Sequence, residues 1–242
     1  MGKLTWALVL INLLVFLLVF SLPEAGQGQV FEMFSFSWAT KFELWRWFTS
    51  LFLHVSASHL FFNMLGLYFF GKVLEGEVDS HWFLAVYFAA GLLGNLVFMF
   101  TSSAAVAGAS GAMFGVLGAA MLLNPIKRIH LYVFPLPLGM VAILFLIFEA
   151  LVVYFQPQEF ANVANITHLA GLLTGSIYAF FRNMKKALES LLVLGICVAL
   201  LVFLGPVFSL ITGVGGLILQ VLDMIIGFFL YGIAKLIGLA LW

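Results

Sequence analysis

Apolar residues run through this chain in long blocks separated by short polar punctuation, and the block lengths predict membrane-spanning helices. A span needs roughly 20 apolar residues, or fewer where a short helix is buried among others. Six blocks meet this by Arg182: residues 4–22, 58–74, 82–100, 111–123, 131–155 and 166–181. Residues 187–204 could form a seventh. The remaining stretch, 205–242, is apolar but interrupted by Gly213, Gly215, Gly216, Gly227, Gly232 and Gly238, with Asp223 and Lys235 inside it. It either spans or lies in the interface. The pattern predicts an all-α, polytopic transmembrane bundle: a six-helix core over 1–186 and a hydrophobic extension over 187–242 of one or two further helices. No internal repeat or low-complexity segment divides the core.

Composition removes the soluble alternatives. Of 242 residues, 64% are hydrophobic and only 8% charged, with 17% aromatic, whereas soluble domains carry about a quarter charged residues. Ten Lys+Arg balance ten Asp+Glu, which leaves no basic surface for nucleic acid. The partner is therefore the lipid bilayer. Cys197 is the single cysteine, so no disulfide or thiolate metal site forms within one chain. The N-terminal block is longer than a typical signal-peptide core, and Pro23-Glu24-Ala25 is a poor cleavage site, so it reads as a retained first span.

Basic residues set the expected orientation. If the first six spans alternate, Lys3, Lys72, Lys127, Arg128, Arg182, Lys185 and Lys186 share one side and only Lys41 and Arg46 face the other. The positive-inside rule makes the richer side, with the N-terminus, cytoplasmic. Residues 23–50 then lie outside. Phe31, Phe34, Phe36, Trp38, Phe42, Leu44, Trp45, Trp47 and Phe48 make that segment too apolar for a free loop, and short interfacial helices are predicted there. An aromatic belt with no further role explains these residues as well as a functional one.

Polar side chains within spans are costly and so are functional candidates. They are His59, Asn63, Ser110, Glu149, His168 and Asp223. With alternating spans, His59, Asn63, Ser110 and His168 all fall within about two turns of an outer end. Ser110 lies in Gly108-Ala109-Ser110-Gly111, which fits either a nucleophile flanked by small residues or a small-residue helix start. The block from Ser110 to Asn124 is too short to cross about 30 Å of hydrocarbon at 1.5 Å per residue. Residues 104–109 must then enter the membrane as irregular backbone, which is tolerated only inside protein or beside a wet cavity. A water-filled pocket at Ser110 is the expectation.

A serine attacks an amide only with a base beside it, and His168 is the best-placed candidate. Gly171 and Gly175 follow it at small-xxx-small spacing, so its helix can approach that of Ser110 and Gly115 closely. A histidine bonded to a carbonyl in a helix interface is the alternative. No carboxylate is placed to orient His168, so the arrangement would be a dyad, with Phe114 either a packing platform or ordinary core. His59 and Asn63 stand at i and i+4 on one helical face, where both are suitable donors to an oxyanion. Neither HExxH nor clustered carboxylates support a metal site, and no cofactor is implied. An aspartyl protease would need two aspartates within spans, where only Asp223 could serve.

Together these residues resemble the rhomboid intramembrane serine proteases. The likeness rests on Glu43-Leu44-Trp45-Arg46, on His54, His59 and Asn63, on Gly108-Ala109-Ser110-Gly111, and on Ala164, His168, Gly171 and Gly175 in their order and spacing. It implies that Ser110 is the nucleophile, His168 the general base, and His59, Asn63 and the Ser110 amide the oxyanion hole. It also implies that Trp45 and Arg46 brace the outer segment, with Glu43 a partner for Arg46, and that His54 is a structural hydrogen-bonder. Gly108, Gly111 and Gly171 supply close backbone approach. The implied partners are transmembrane protein substrates, and the site would open to the non-cytoplasmic side. Thr167 departs from the alanine common among relatives, and the chain continues well past the sixth span. Two other classes compete: a catalytically inactive rhomboid-like client-binding protein, whose usual sign of a missing nucleophile or base is not found, and a transporter, which lacks charged pathway residues.

Overall fold

A computed structural model describes residues 2–131, 134–155, 158–196, 198 and 199. Met1–Leu194 form one compact unit and Gly195–Trp242 another. Cys197, the end of the seventh block beyond residue 199 and the glycine-interrupted tail with Asp223 and Lys235 lie outside the described residues.

The first unit is a bundle of helices: α1 (Lys3–Phe20), α2 (Glu24–Phe34), α3 (Leu44–Thr49, continued by a 3₁₀ turn at Ser50–Phe52), α4 (Ala57–Glu75), α5 (Ser80–Thr101), α6 (Ser110–Leu123), α7 (Leu138–Phe155) and α8 (Gln158–Arg182). Residues 184–196 are helical again. Helices dominate because apolar chain in lipid must satisfy its own backbone. Lys3–Phe20 and Ser80–Thr101 are each long and apolar enough to cross a membrane, and Leu44–Phe52 with Ala57–Glu75 form an apolar pair bent by 90°. The chain is an integral membrane protein. Residues 23–50 contain the short helices α2 and α3 that their aromatic pattern predicts.

Helix starts follow side-chain caps. Ser56 Oγ accepts from His59 N–H at 3.2 Å to open α4, and Asp79 Oδ1 accepts from Trp82 N–H at 2.9 Å to open α5. The fifth block differs from its sequence reading. Pro135 and Pro137 supply no N–H for a helix, so Arg128–Leu131 and Phe134–Pro137 pair as an antiparallel hairpin, β1 and β2, and α7 begins at Leu138. The sixth begins at Gln158, about two turns ahead of the apolar block, because polar Gln, Glu and Asn positions conceal its first turns from a hydropathy reading.

α6 is the centre of the bundle. All of its residues except Ser110 and Met121 are buried, as befits a helix apolar on every side. It packs on α4, α5 and α8. The α6–α8 contact is backbone to backbone: a β-carbon at Gly171 would strike Gly111 O, and one at Gly175 would strike Gly115 O. At the far end of the bundle, the Glu75 carboxylate accepts from the Leu4 and Thr5 amides at 2.9 and 2.8 Å and from Thr5 Oγ1 at 2.8 Å. These bonds satisfy first-turn N–H groups of α1 that the helix itself leaves open.

Candidate active site

The chain between α5 and α6, residues 102–109, is irregular, and several of its backbone groups are bonded to other parts of the protein. Phe36 and Val106 exchange bonds of 3.1 and 2.7 Å, Gly108 N–H donates to Ser50 O at 2.9 Å, and Ala109 N–H donates to His54 Nε2 at 3.5 Å. His54, almost fully buried, thus presents an unprotonated Nε2 to the turn that delivers Ser110. Gly108 has φ +143°, a conformation that side-chain-bearing residues avoid. A β-carbon there would also lie 2.9 Å from His59 Nε2 and 3.8 Å from Asn63 Nδ2. Only glycine meets both demands.

His59 and Asn63 therefore converge from α4 on the backbone two residues before Ser110. Asn63 is 3% exposed, and its Nδ2 has no hydrogen-bond partner among the described residues, an uncommon condition for a buried donor. Ser110 is the first residue of α6 and partly buried, and no side chain caps that helix start. Its amide and those following are thus at a helix N-terminus with its partial positive charge.

His168 reaches the same place from α8. Its ring stacks on Phe114 with centroids 4.4 Å apart and planes 13° from parallel. It sits about three turns inside α8 rather than one, since the helix starts earlier. Gly171, one turn further along, lies against Gly111, the neighbour of Ser110. The packing brings the turns carrying Ser110 and His168 side by side. Thr167 is accommodated where its methyl meets the open sides of Gly94 and Gly111.

The segment of residues 23–50 is braced mainly by Arg46. Its Nε donates to Glu43 Oε2 at 2.8 Å, and its guanidinium donates to Ser35 O at 3.2 Å and also to Glu32 O. The indole role differs from the sequence expectation. Trp45 is 51% exposed, while Trp47 packs on Phe36 at 4.5 Å and donates to Lys41 O at 3.0 Å. Sequence reasoning also passed over Asn95, a polar residue in a span by the same criterion that singled out Asn63. Its Nδ2 donates to Trp47 O at 3.1 Å and Ser50 Oγ at 3.0 Å. Ser50 in turn holds Gly108, so Asn95 links α5 to the loop before Ser110. Glu149 is on α7, and its side chain lies outside the described part of the structure.

Buried polar groups gathered where one apolar helix starts, inside a bundle of membrane-length helices, define an integral membrane protein with an intramembrane polar site. A rhomboid-domain family model matches residues 41–185, more than half the chain. This chain belongs to the rhomboid family. It is 33% identical over 145 residues to the rhomboid protease GluP of Bacillus subtilis (strain 168), covering 60% of this chain and 27% of GluP. It is 29% identical over 149 residues to the rhomboid protease GlpG of Haemophilus influenzae, covering 61% of this chain and 75% of that protein. To GlpG of Salmonella newport it is 29% identical over 187 residues, 76% of this chain and 64% of GlpG. The matched region thus spans about a quarter of GluP and 64–75% of the GlpG proteins.

Proposed function

We propose that this chain is an intramembrane serine endopeptidase acting on transmembrane helices of other proteins through a Ser110–His168 dyad. The observation that carries the reading is the glycine-to-glycine contact of α6 on α8, which sets the turn of Ser110 beside the turn of His168 and leaves that ring stacked on Phe114. In the proposed reaction His168 takes the Ser110 proton as Oγ attacks the scissile carbonyl. The oxyanion that forms accepts from His59, Asn63 and the Ser110 amide, groups fixed before substrate arrives. His168 then protonates the leaving amine, and water, deprotonated by the same imidazole, releases the acyl group.

A peptide bond within a helix has its carbonyl already bonded, so substrates must unwind locally and helix-weakening residues near the cleavage point favour turnover. Small residues before the bond suit the glycine-lined approach. The basic-residue asymmetry supports a cytoplasmic N-terminus and a site opening to the other side, and residues 1–186 form the protease core in this reading. Treatment with a fluorophosphonate in detergent tests it: wild-type protein is labelled at Ser110, Ser110→Ala is not, and His168→Ala is labelled far more slowly. Equal labelling of wild type and His168→Ala would remove His168 as the base.

A further inference from the structure

The C-terminal end of α8 carries a groove remote from the candidate active site. From His168 to Arg182 is 14 residues of helix, about 21 Å. The groove, of about 350 Å³, is lined by Trp82, Ile177, Tyr178, Phe181 and Arg182. Trp82 and Tyr178 form its aromatic wall, edge to face with centroids 6.0 Å apart. A second hollow of about 200 Å³ on the other side of Arg182 is lined by Glu77, Leu123, Asn183 and Lys186 together with Arg182 itself.

The charges around Arg182 are unevenly committed. Glu77 is held by Lys127 at 3.1 Å and Lys186 at 3.4 Å. Asp79 caps α5 through Trp82 N–H and attracts Arg182 only through space. Arg182 makes no hydrogen bond or ion pair among the described residues and is exposed. Three cations, Lys127, Lys186 and Arg182, thus meet two carboxylates there. Above the guanidinium, Leu169, Leu173, Ile177 and Phe181 repeat every four residues and are 53%, 53%, 54% and 78% exposed. Positions four apart form a ridge slanting along the helix. A cation at the helix end, an aromatic pair beside it and a continuous apolar ridge leading into the bilayer match the parts of one molecule: phosphodiester, glycerol and acyl chain.

We infer that the groove at Trp82, Tyr178 and Arg182 is a binding site for an anionic phospholipid, with Arg182 bonding the phosphodiester and an acyl chain lying along the Leu169–Phe181 ridge. Native mass spectrometry of the full chain in neutral detergent, with phosphatidylglycerol and phosphatidylcholine of identical acyl chains competing, tests the assignment. The wild-type protein should retain phosphatidylglycerol over phosphatidylcholine by about fivefold, equivalent to about 1 kcal/mol for one basic residue at an anionic lipid. Arg182→Gln should bring the ratio close to one, and Lys41→Gln should leave it unchanged. Phe181→Ala, also at an exposed position, should lower retention of both lipids together. An unchanged ratio in Arg182→Gln with a wild-type melting temperature would overturn the site. Displacement of phosphatidylglycerol by inorganic phosphate would also overturn it, since that would mark a free-anion site.

Discussion

Replacing Gly171 with alanine probes the contact on which the proposed dyad depends. The added β-carbon would fall 2.9 Å from Gly111 C and 3.1 Å from Gly111 Cα, and closer still to Gly111 O. All three are main-chain atoms of a buried glycine, so no side chain can swing aside. Restoring ordinary contact distances of about 3.5–4 Å requires α6 and α8 to part by on the order of 1 Å. Overpacking of this kind costs roughly 1–3 kcal/mol. A 1 Å misplacement of reacting groups can cost about 10²-fold in rate. Gly171→Ala should therefore melt several degrees below wild type and react with a fluorophosphonate about 10²-fold more slowly per folded molecule. Gly28→Ala is the control: a β-carbon there meets nothing within 4 Å, and the change should be neutral or stabilising by about 0.4–1 kcal/mol. A Gly171→Ala protein that melts lower yet labels at the wild-type rate would show that this contact does not set the Ser110–His168 geometry. Wild-type melting and labelling together would refute the close packing itself.

Four other outcomes are expected. Asn63→Ala and His59→Ala should each lower kcat by up to about 10²–10³ with little change in melting temperature; activity loss that tracks unfolding would make them structural instead. Arg46→Ala strips donors from the Ser35 and Glu32 carbonyls and should destabilise by about 1–3 kcal/mol, with Arg46→Lys a poor substitute and faster proteolysis between residues 24 and 52 as the readout. The Glu77 carboxyl is raised by burial but held below its ordinary 4.5 by the bond from Lys127 and by the Lys127 and Lys186 charges; its small stabilising contribution is present above pH 4.5 and fades as pH falls through the lowered value, a difference that Glu77→Gln should abolish in melting scans. Truncation after residue 196 should leave labelling of Ser110 intact, whereas truncation after Arg182 removes buried Ala187, Ser190 and Leu194 and should lower the melting temperature.

The candidate site was legible because its members are polar and the surrounding chain is not. His59, Asn63, Ser110 and His168 each interrupt an apolar block, and glycine at 108, 111, 171 and 175 announces close backbone approach. What stayed hidden lacks such contrast. Whether Trp45 or Trp47 packs inward depends on the rotation of a six-residue helix, which aromatic composition does not specify. Asn95 met the polar-in-span criterion, but its partners Ser50 and the Trp47 carbonyl lie more than 40 residues earlier, so the link exists only in three dimensions. The fold diverged from the hydropathy pattern at two helix starts. Pro135 and Pro137 are apolar yet cannot donate to a helix, and Gln158, Glu159, Asn162 and Asn165 are polar yet lie in the first turns of α8.

The Glu75 carboxylate that closes the first turn of α1 has a consequence for biosynthesis. The groups it joins are 70 and 71 residues apart, so at ribosomal rates of about 5–20 residues per second the helix waits about 4–14 s for its acceptor to be made. During that interval α1 lies in lipid without its later neighbour α4, and Thr5 and Asn12 mark the face with Leu8, Val9 and Val19 that it comes to bury. Arrival of residue 75 adds a fixed point to that face. A carboxylate presented to the open amides of α1 sets the depth and the rotation of that helix, so a later-made residue supplies the register mark for an earlier one.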